Sequence, residues 1–232
     1  MAKYSGMYRK NKKFHVAVDC IIFGFDRQEL KLLCIKRDFE PEKGMWSLMG
    51  GFLEESEDID HAAERVLYQL TGLKDIYLEQ LQAYGKRDRD PAGRVISIAY
   101  YALIDSVRFD KQISRTYDAR WFSLDHLPDL VFDHREMVDK AIRRLQRKCR
   151  TQPVGFELLP EKFTLPQLQL LYEEIFGRAF DKRNFRKKIL AMGILNKLEE
   201  KDKEGSRKGA YLHQFDKDKY DEMMNNGFSF EI

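Results

Sequence analysis

The chain has few of the features that give a small protein an immediate reading. Its three cysteines, Cys20, Cys34 and Cys149, are odd in number, widely spaced and form no CxxC pair. This argues against a disulfide framework or a zinc site, and the apolar runs around Cys20 and Cys34 make them buried free thiols. No apolar run approaches the length needed to cross a bilayer, so no membrane partner is expected. The segment 1–13 is basic and lacks the apolar centre of a secretory signal, which leaves the cytoplasm as the expected location. There is no internal repeat and no low-complexity tract. The net charge of +3 names no partner by itself, and 43% hydrophobic with 34% charged residues is ordinary for a globular chain. At 232 residues there is room for one large domain or two modest ones.

What is present divides into two textures. His15–Phe25, Leu30–Lys36, Val95–Asp105 and the shorter Ala119–Phe122 are β-branched and aromatic runs that read as strands. Helices are expected from Ser56 to Thr71, stopped by Gly72, and from His134 to Arg147 with Met137, Ala141, Ile142 and Leu145 on one face. Residues 148–160 contain two prolines and a glycine and lose periodicity, so a boundary is placed there. The expected domains are residues 1–150 and 156–232.

Within the first, Gly51, Glu57, Arg65, Leu67, Gly72 and Leu73 stand at the spacing of the motif G-x5-E-x7-R-E-U-x-E-E-x-G-U, where U is aliphatic. Upstream, Gly44-Met45-Trp46-Ser47-Leu48-Met49-Gly50-Gly51 fits the entry to that motif, with Met49 where proline is usual. Residues 10–150 thus resemble a Nudix domain, and the resemblance implies an α/β/α sandwich. The departures bear on chemistry. The acids that hold Mg²⁺ in Nudix hydrolases lie at i, i+3 and i+4 of one helix face. Here Val66, Gln69 and Leu70 occupy those places. Ile59, Ala62, Ala63, Val66 and Leu70 instead form an apolar stripe, with Arg65 left to pair with Glu57 or Glu64. No metal, no cofactor and no catalytic residue are expected, since nothing remains to neutralise a pyrophosphate or activate water.

The last 75 or so residues carry equal numbers of basic and acidic side chains, 14 of each from position 151 onward, yet the basic ones cluster. Thr164 and Gln167 form a capping box before a helix with Leu168, Leu171, Tyr172 and Ile175 on its inner face, ended by Gly177. Asp181 can cap a second helix in which Phe185, Ile189 and Met192 turn inward. That leaves Lys182, Arg183, Asn184, Arg186 and Lys187 facing out. Ile194–Leu198 and Ala210–Phe215 read as a hairpin whose tip carries Lys203, Arg207 and Lys208. Helix, turn, basic helix and basic hairpin is the layout of a winged helix-turn-helix, in which the second helix enters the major groove. The DNA-contacting set expected is Lys182, Arg183, Asn184, Arg186, Lys187, Arg207 and Lys208.

A Nudix-like domain followed by a winged helix resembles the NrtR-type transcription regulators. The resemblance implies a homodimer that binds double-stranded operator DNA, with a small-molecule effector altering its affinity. The chain looks closest to the arabinose-responsive branch, which implies a repressor of carbohydrate use sensing a sugar such as L-arabinose. Asp19, Arg37, Lys43, Trp46 and Glu55 are the effector-contacting set expected on that basis. ADP-ribose, and control of NAD metabolism, is the alternative, because Lys36, Arg37, Lys43, Arg87, Arg89 and Arg94 supply cations for a pyrophosphate. A hydrolase using displaced acids (Glu54, Glu55, Glu57, Glu64) and a protein-binding scaffold are rival readings.

Overall fold

The computed structural model describes residues 11–113, 118–203, 209–228 and 230–232. The N-terminal part runs β1 (His15–Phe25), β2 (Leu30–Lys36), β3 (Trp46–Ser47), β4 (Met49–Phe52), α1 (Ile59–Thr71), β5 (Glu79–Tyr84), β6 (Val95–Asp105), α2 (Ser106–Phe109), β7 (Arg120–Ser123) and α3 (His134–Thr151). β1 and β6 lie parallel along their full length, from His15 opposite Val95 to Phe25 opposite Asp105. They are central in a sheet of order β3-β2-β1-β6-β5, with β4 on β1 and β7 on β2. Both faces of this sheet are covered, so β1 is buried almost without alternation, as its continuous apolar run requires. Even-numbered Val18, Cys20 and Ile22 pack with Ala62, Ala63, Val66 and Leu67 of α1. Odd-numbered Ile21, Phe23 and Phe25 pack with Met137, Val138 and Ala141 of α3. This is the expected α/β/α sandwich, and all three cysteines are free and buried.

The C-terminal part runs β8 (Phe163–Thr164), α4 (Leu165–Phe176), α5 (Lys182–Ala191), β9 (Leu195–Asp202), β10 (Ala210–Phe215) and α6 (Lys217–Asn225). The capping box is formed in both directions: Gln167 N–H donates to Thr164 Oγ1, and Gln167 Oε1 accepts from Thr164 N–H. Gly177 closes α4 with φ 62°, a left-handed conformation that costs glycine nothing. Asp181 accepts from Asn184 N–H at the head of α5. β8, β10 and β9 form a three-stranded antiparallel sheet. No helix among the described residues is long and apolar enough to cross a membrane.

Several elements differ from the sequence expectation. α1 begins at Ile59 rather than Ser56 because Glu57 is drawn into an ion pair with Arg65, and Ile59 is exposed instead of lying in the buried stripe. α3 continues to Thr151, four residues beyond Arg147, because Cys149 still finds a buried place one turn past Leu145. The hairpin strand expected at Ile194–Leu198 runs to Asp202. β5 and α6 were not expected: Glu79–Tyr84 has no β-branched residue, and Lys217–Asn225 is mostly polar with no buried residue.

The two parts share one core. Leu145 and Cys149 of α3 belong to the same buried cluster as Phe156, Leu158, Leu168, Leu171, Tyr172 and Ile175. Polar contacts join the same seam: Leu30 N–H donates to Glu174 Oε2 at 3.0 Å, and Gln146 Nε2 donates to the Ile175 carbonyl at 3.0 Å. A Leu145→Ala substitution removes a fully buried side chain from this seam and should lower stability by about 2–5 kcal/mol. The urea midpoint of unfolding measures it, and an unchanged midpoint would show that the seam is not a packed core.

Candidate functional site

The basic helix is presented as expected. On α5, Phe185 and Ile189 are buried while Lys182, Arg183, Asn184, Arg186 and Lys187 are all exposed. Period 3.6 places the two inward residues on one stripe and leaves the cations on the solvent side. Phe180 stacks on Phe185, and Phe180 N–H donates to Glu173 Oε1, so the turn before α5 is tied to α4. Arg207 and Lys208 lie outside the described residues. The hairpin that carries them is described on both flanks.

The second site is a buried polar cluster on the face of the large sheet that α3 covers. Asp19 projects from β1 opposite Gly50 of β4, and a Cβ at Gly50 would come within 2.4 Å of Asp19 Oδ1. Asp19 is 5% exposed. Its carboxylate accepts from Ser97 Oγ at 2.5 Å and from Arg89 Nη2 at 3.4 Å, and Oδ1 lies 3.5 Å from His134 Nε2. Arg89 also grips Asp133 with two bonds, of 3.0 and 2.8 Å, a bidentate pairing. Burial depresses the charged form of Arg89, but the Asp133 bonds and the charge of Asp19 outweigh it and hold its pKa up. His134 Nδ1 accepts from Leu48 N–H at 3.1 Å, which leaves the proton on Nε2 toward Asp19. Burial, only partly opposed by Asp19, holds the His134 pKa below the usual histidine value.

Arg37 stands beside this cluster, next to Phe132. Its Nε donates to the Pro41 carbonyl at 2.9 Å, and its guanidinium lies 4.3 Å from the Phe39 ring centre and 5.3 Å from that of Phe132. The two terminal nitrogens have no hydrogen-bond partner among the described residues. Burial lowers the Arg37 pKa despite the nearby charges of Asp90 and Asp19. Phe132 holds φ at 54°, a strained conformation for an aromatic residue, and its ring meets His134 edge-on. Trp46 packs on the same side of the sheet against Phe122 and receives Val131 N–H on its carbonyl.

Of the five residues expected to contact an effector, Asp19, Arg37 and Trp46 are thus brought to one face. Lys43 is exposed in the loop between Arg37 and Met45, and Glu55 is exposed in the loop before α1. Neither is joined to Asp19, Arg37 or Trp46 by any described contact. Sequence reading missed Phe132, Asp133 and His134, and named Arg89 only among several cations. An acid-histidine pair at the head of an amphipathic helix was the available signal.

The loop before α1 is closed by an arginine. Arg65 donates to both oxygens of Glu57, to the Phe52 carbonyl and to Gln69 Oε1. Bonding to Arg65 holds the Glu57 pKa down at about 2. Glu54 lies 3.5 Å from the same guanidinium, and Glu64 is exposed. Val66 is buried directly beneath Gly51, where a Cβ would approach within 2.6 Å of its Cγ2. Among the described residues no three His, Cys, Asp or Glu side chains gather in a way that could hold a metal ion.

His134 makes stability depend on pH. Its folded pKa is lowered, so below about pH 6.5 the unfolded chain binds a proton that the folded chain refuses, and stability falls as pH falls. His134→Asn keeps an acceptor for Leu48 N–H but cannot titrate. Between pH 6.5 and 5.5 the wild type should lose up to about 1 kcal/mol more than this variant. Chemical denaturation at the two pH values measures the difference, and parallel losses would refute a buried neutral histidine.

The comparisons with known proteins agree with this architecture. Residues 155–215 match the model described as NrtR DNA-binding winged helix domain, and residues 13–141 match the NUDIX domain model. The ADPR responsive transcriptional repressor NtrR of Acinetobacter baylyi is 34% identical over 210 residues, 89% of this chain and 84% of the relative. The ADP-ribose pyrophosphatase of Methanocaldococcus jannaschii is 37% identical over 129 residues, 55% of this chain and 73% of the relative. Shewanella oneidensis NrtR, solved in complex with a 27mer DNA, is 31% identical with a TM-score of 0.73, covering 86% of this chain and 93% of that one. Its NUDIX domain solved with ADP ribose is 29% identical with a TM-score of 0.52, covering 61% of this chain and 98% of that one. The chain belongs to the NrtR-type family of Nudix-domain transcription regulators.

Proposed function

We propose that this regulator is a repressor that binds operator DNA through α5 and releases or tightens it in response to ADP-ribose. The observation that carries the DNA reading is the exposed cluster Lys182, Arg183, Asn184, Arg186 and Lys187 on a helix anchored by Phe185 and Ile189. Arginine and asparagine suit base edges, and lysine suits phosphates. Arg207 and Lys208 would add backbone contacts from the hairpin tip. A homodimer would offer two such helices to paired half-sites.

The choice of effector changes from the sequence expectation. The arabinose reading gains no support from the relatives, whereas the ADP-ribose alternative does, through the Acinetobacter repressor and the Shewanella domain. The surroundings of Arg37 agree with that choice. A neutral pentose needs a few donors and acceptors, but Arg37, with unpartnered terminal nitrogens between two phenylalanine rings, suits a pyrophosphate beside a flat base. Trp46 and Asp19 would add an aromatic wall and an acceptor. Lys43 and Glu55 are solvent-exposed, and no described contact joins them to this group.

The same reading takes the Nudix domain as a sensor rather than a hydrolase. Val66 is buried under Gly51, Gln69 is bonded to Arg65, and Leu70 packs at the edge of the α1 core. None of these supplies a hard anionic oxygen. The acids left over, Glu54 and Glu57, face Arg65. Mg²⁺-dependent hydrolysis of ADP-ribose that disappears in Glu54→Gln or Glu57→Gln would reinstate the enzyme.

Coupling requires that ADP-ribose bind the two arrangements of the winged helices unequally. In a gel shift on the protein's own upstream DNA, ADP-ribose should change the retardation and L-arabinose should not. Arg183→Ala and Arg186→Ala should each weaken specific binding by about 1–3 kcal/mol. Arg37→Ala should leave effector-free binding intact and blunt the ADP-ribose response. Wild-type affinity in both α5 variants would move the reading surface elsewhere, and a response to arabinose alone would restore the sugar branch.

A further inference from the structure

The seam between the two parts holds an open cavity of about 270 Å³. One wall is the loop before β5 with the end of β6, and the other is the tail of α3 with residues 154–158. Its floor is apolar: Leu145 and Leu158 are buried, and Leu103 is half-buried. At the rim the Tyr77 ring is 81% exposed, a large aromatic surface left in water. The Tyr101 hydroxyl borders the same cavity, buried beside Glu79 and completing no hydrogen bond. A cavity of this size suits a molecule smaller than most drug-sized ligands.

The charges around it are unbalanced. Asp75, Glu79, Asp105 and Glu157 line it, against Lys148 and Arg108. Two of the acids are engaged. Glu79 pairs with Lys148 and lies 3.7 Å from Arg144. Asp105 accepts from two N–H groups at the head of α2 and lies 3.8 Å from Arg27. Asp75 and Glu157 are exposed and make no ion pair among the described residues. The one cation left over, Arg108, is drawn over the Phe109 ring, 5.3 Å from its centre. Asp75 belongs to the Nudix part and Glu157 to the segment leading into the winged helix, so like charges stand on the two walls of one seam.

We infer that this cavity binds a small organic cation, an ammonium group carried on a flat apolar body. The ammonium answers the unpaired Asp75 and Glu157 carboxylates, and the Tyr101 oxygen can accept one of its N–H bonds. The body covers Leu103 and Leu158, and the open Tyr77 ring attracts the cation through its face. The cavity shares no residue with the group around Arg37, so the inference is independent of the ADP-ribose reading and of the DNA reading. Because one acid lies on each wall, the bound cation neutralises both and holds the seam closed.

The test titrates the full chain at low salt with phenethylamine, a one-ring ammonium, and with phenylacetate, an anion of similar size, followed by ligand-observed NMR. The amine should bind with a Kd on the order of millimolar, as suits so few atoms, and phenylacetate at least about tenfold more weakly. Asp75→Asn with Glu157→Gln should weaken the amine by about five- to tenfold, and Tyr77→Ala by about two- to fivefold. All three positions are exposed, and asparagine accepts the left-handed conformation that Asp75 holds at φ 57°, so these variants should fold. Glu199→Gln, on β9, and saturating ADP-ribose should each leave amine binding unchanged. Phenylacetate binding as tightly as the amine, or wild-type amine affinity in the double acid variant, overturns the inference. So does an absence of saturable amine binding up to about 20 mM. Displacement of the amine by ADP-ribose would place it at Arg37 and overturn the inference while sparing the effector reading.

Discussion

The structure depends on one helix that packs against both parts of the chain at once. Met137, Val138, Ala141, Leu145 and Cys149 form a single stripe along α3, and all are buried. The first turns of that stripe cover Ile21, Phe23 and Phe25 of β1, and the last turns meet α4 and the segment before β8. Neither contact is dispensable. Without α3 one face of the large sheet would be open to water, and without its last turns α4 would lose a wall. Because packed interiors transmit displacement rather than absorb it, a shift of α3 is felt at both ends.

The head of α3 carries the buried polar cluster. Asp133 and His134 sit there, joined through Arg89 and Asp19 to the loop before β6 and to β1. A buried charge left single is expensive, so this group is stable only as a set. Arg89 with two carboxylate partners satisfies that condition, and neutral His134 completes it without adding another cation. Near the tail of α3, Gln146 holds the last turn of α4 and Glu174 reaches from α4 to the first residue of β2. The polar cluster around Asp19 and the winged-helix module are thus attached to opposite ends of the same rod. This gives the regulatory reading a physical route, carried by side chains in contact rather than by distance alone.

Electrostatics in the C-terminal part is a matter of position and not of sum. Its basic and acidic residues balance in number. Caps take Asp181 and Asp216, Lys162 takes Glu200, and Gln169 with Phe180 takes Glu173. What is left exposed on α5 is positive. A neutral module can therefore meet a polyanion, because local potential rather than net charge governs such contacts.

Much of this was legible in the chain. β1, β2 and β6 were bounded to the residue, since long β-branched runs ended by turn residues admit few alternatives. The capping box at Thr164 and the Asp181 cap marked the heads of α4 and α5, because caps are local hydrogen bonds written within four residues. The motif spacing from Gly51 to Leu73 and the order of elements after Phe163 identified the two-part family. The choice between a sugar and a phosphorylated nucleotide was not legible, since lists of cations do not say which of them are already paired. Folding consumed Arg89 between two aspartates and Arg65 against Glu57, and left Arg37 open between two rings. The sequence by itself determined the elements, their caps and the family, because those are recorded in spacing along the chain. Only the tertiary structure decided which charges are paired within the protein and which are left open, because that depends on neighbours tens of residues away.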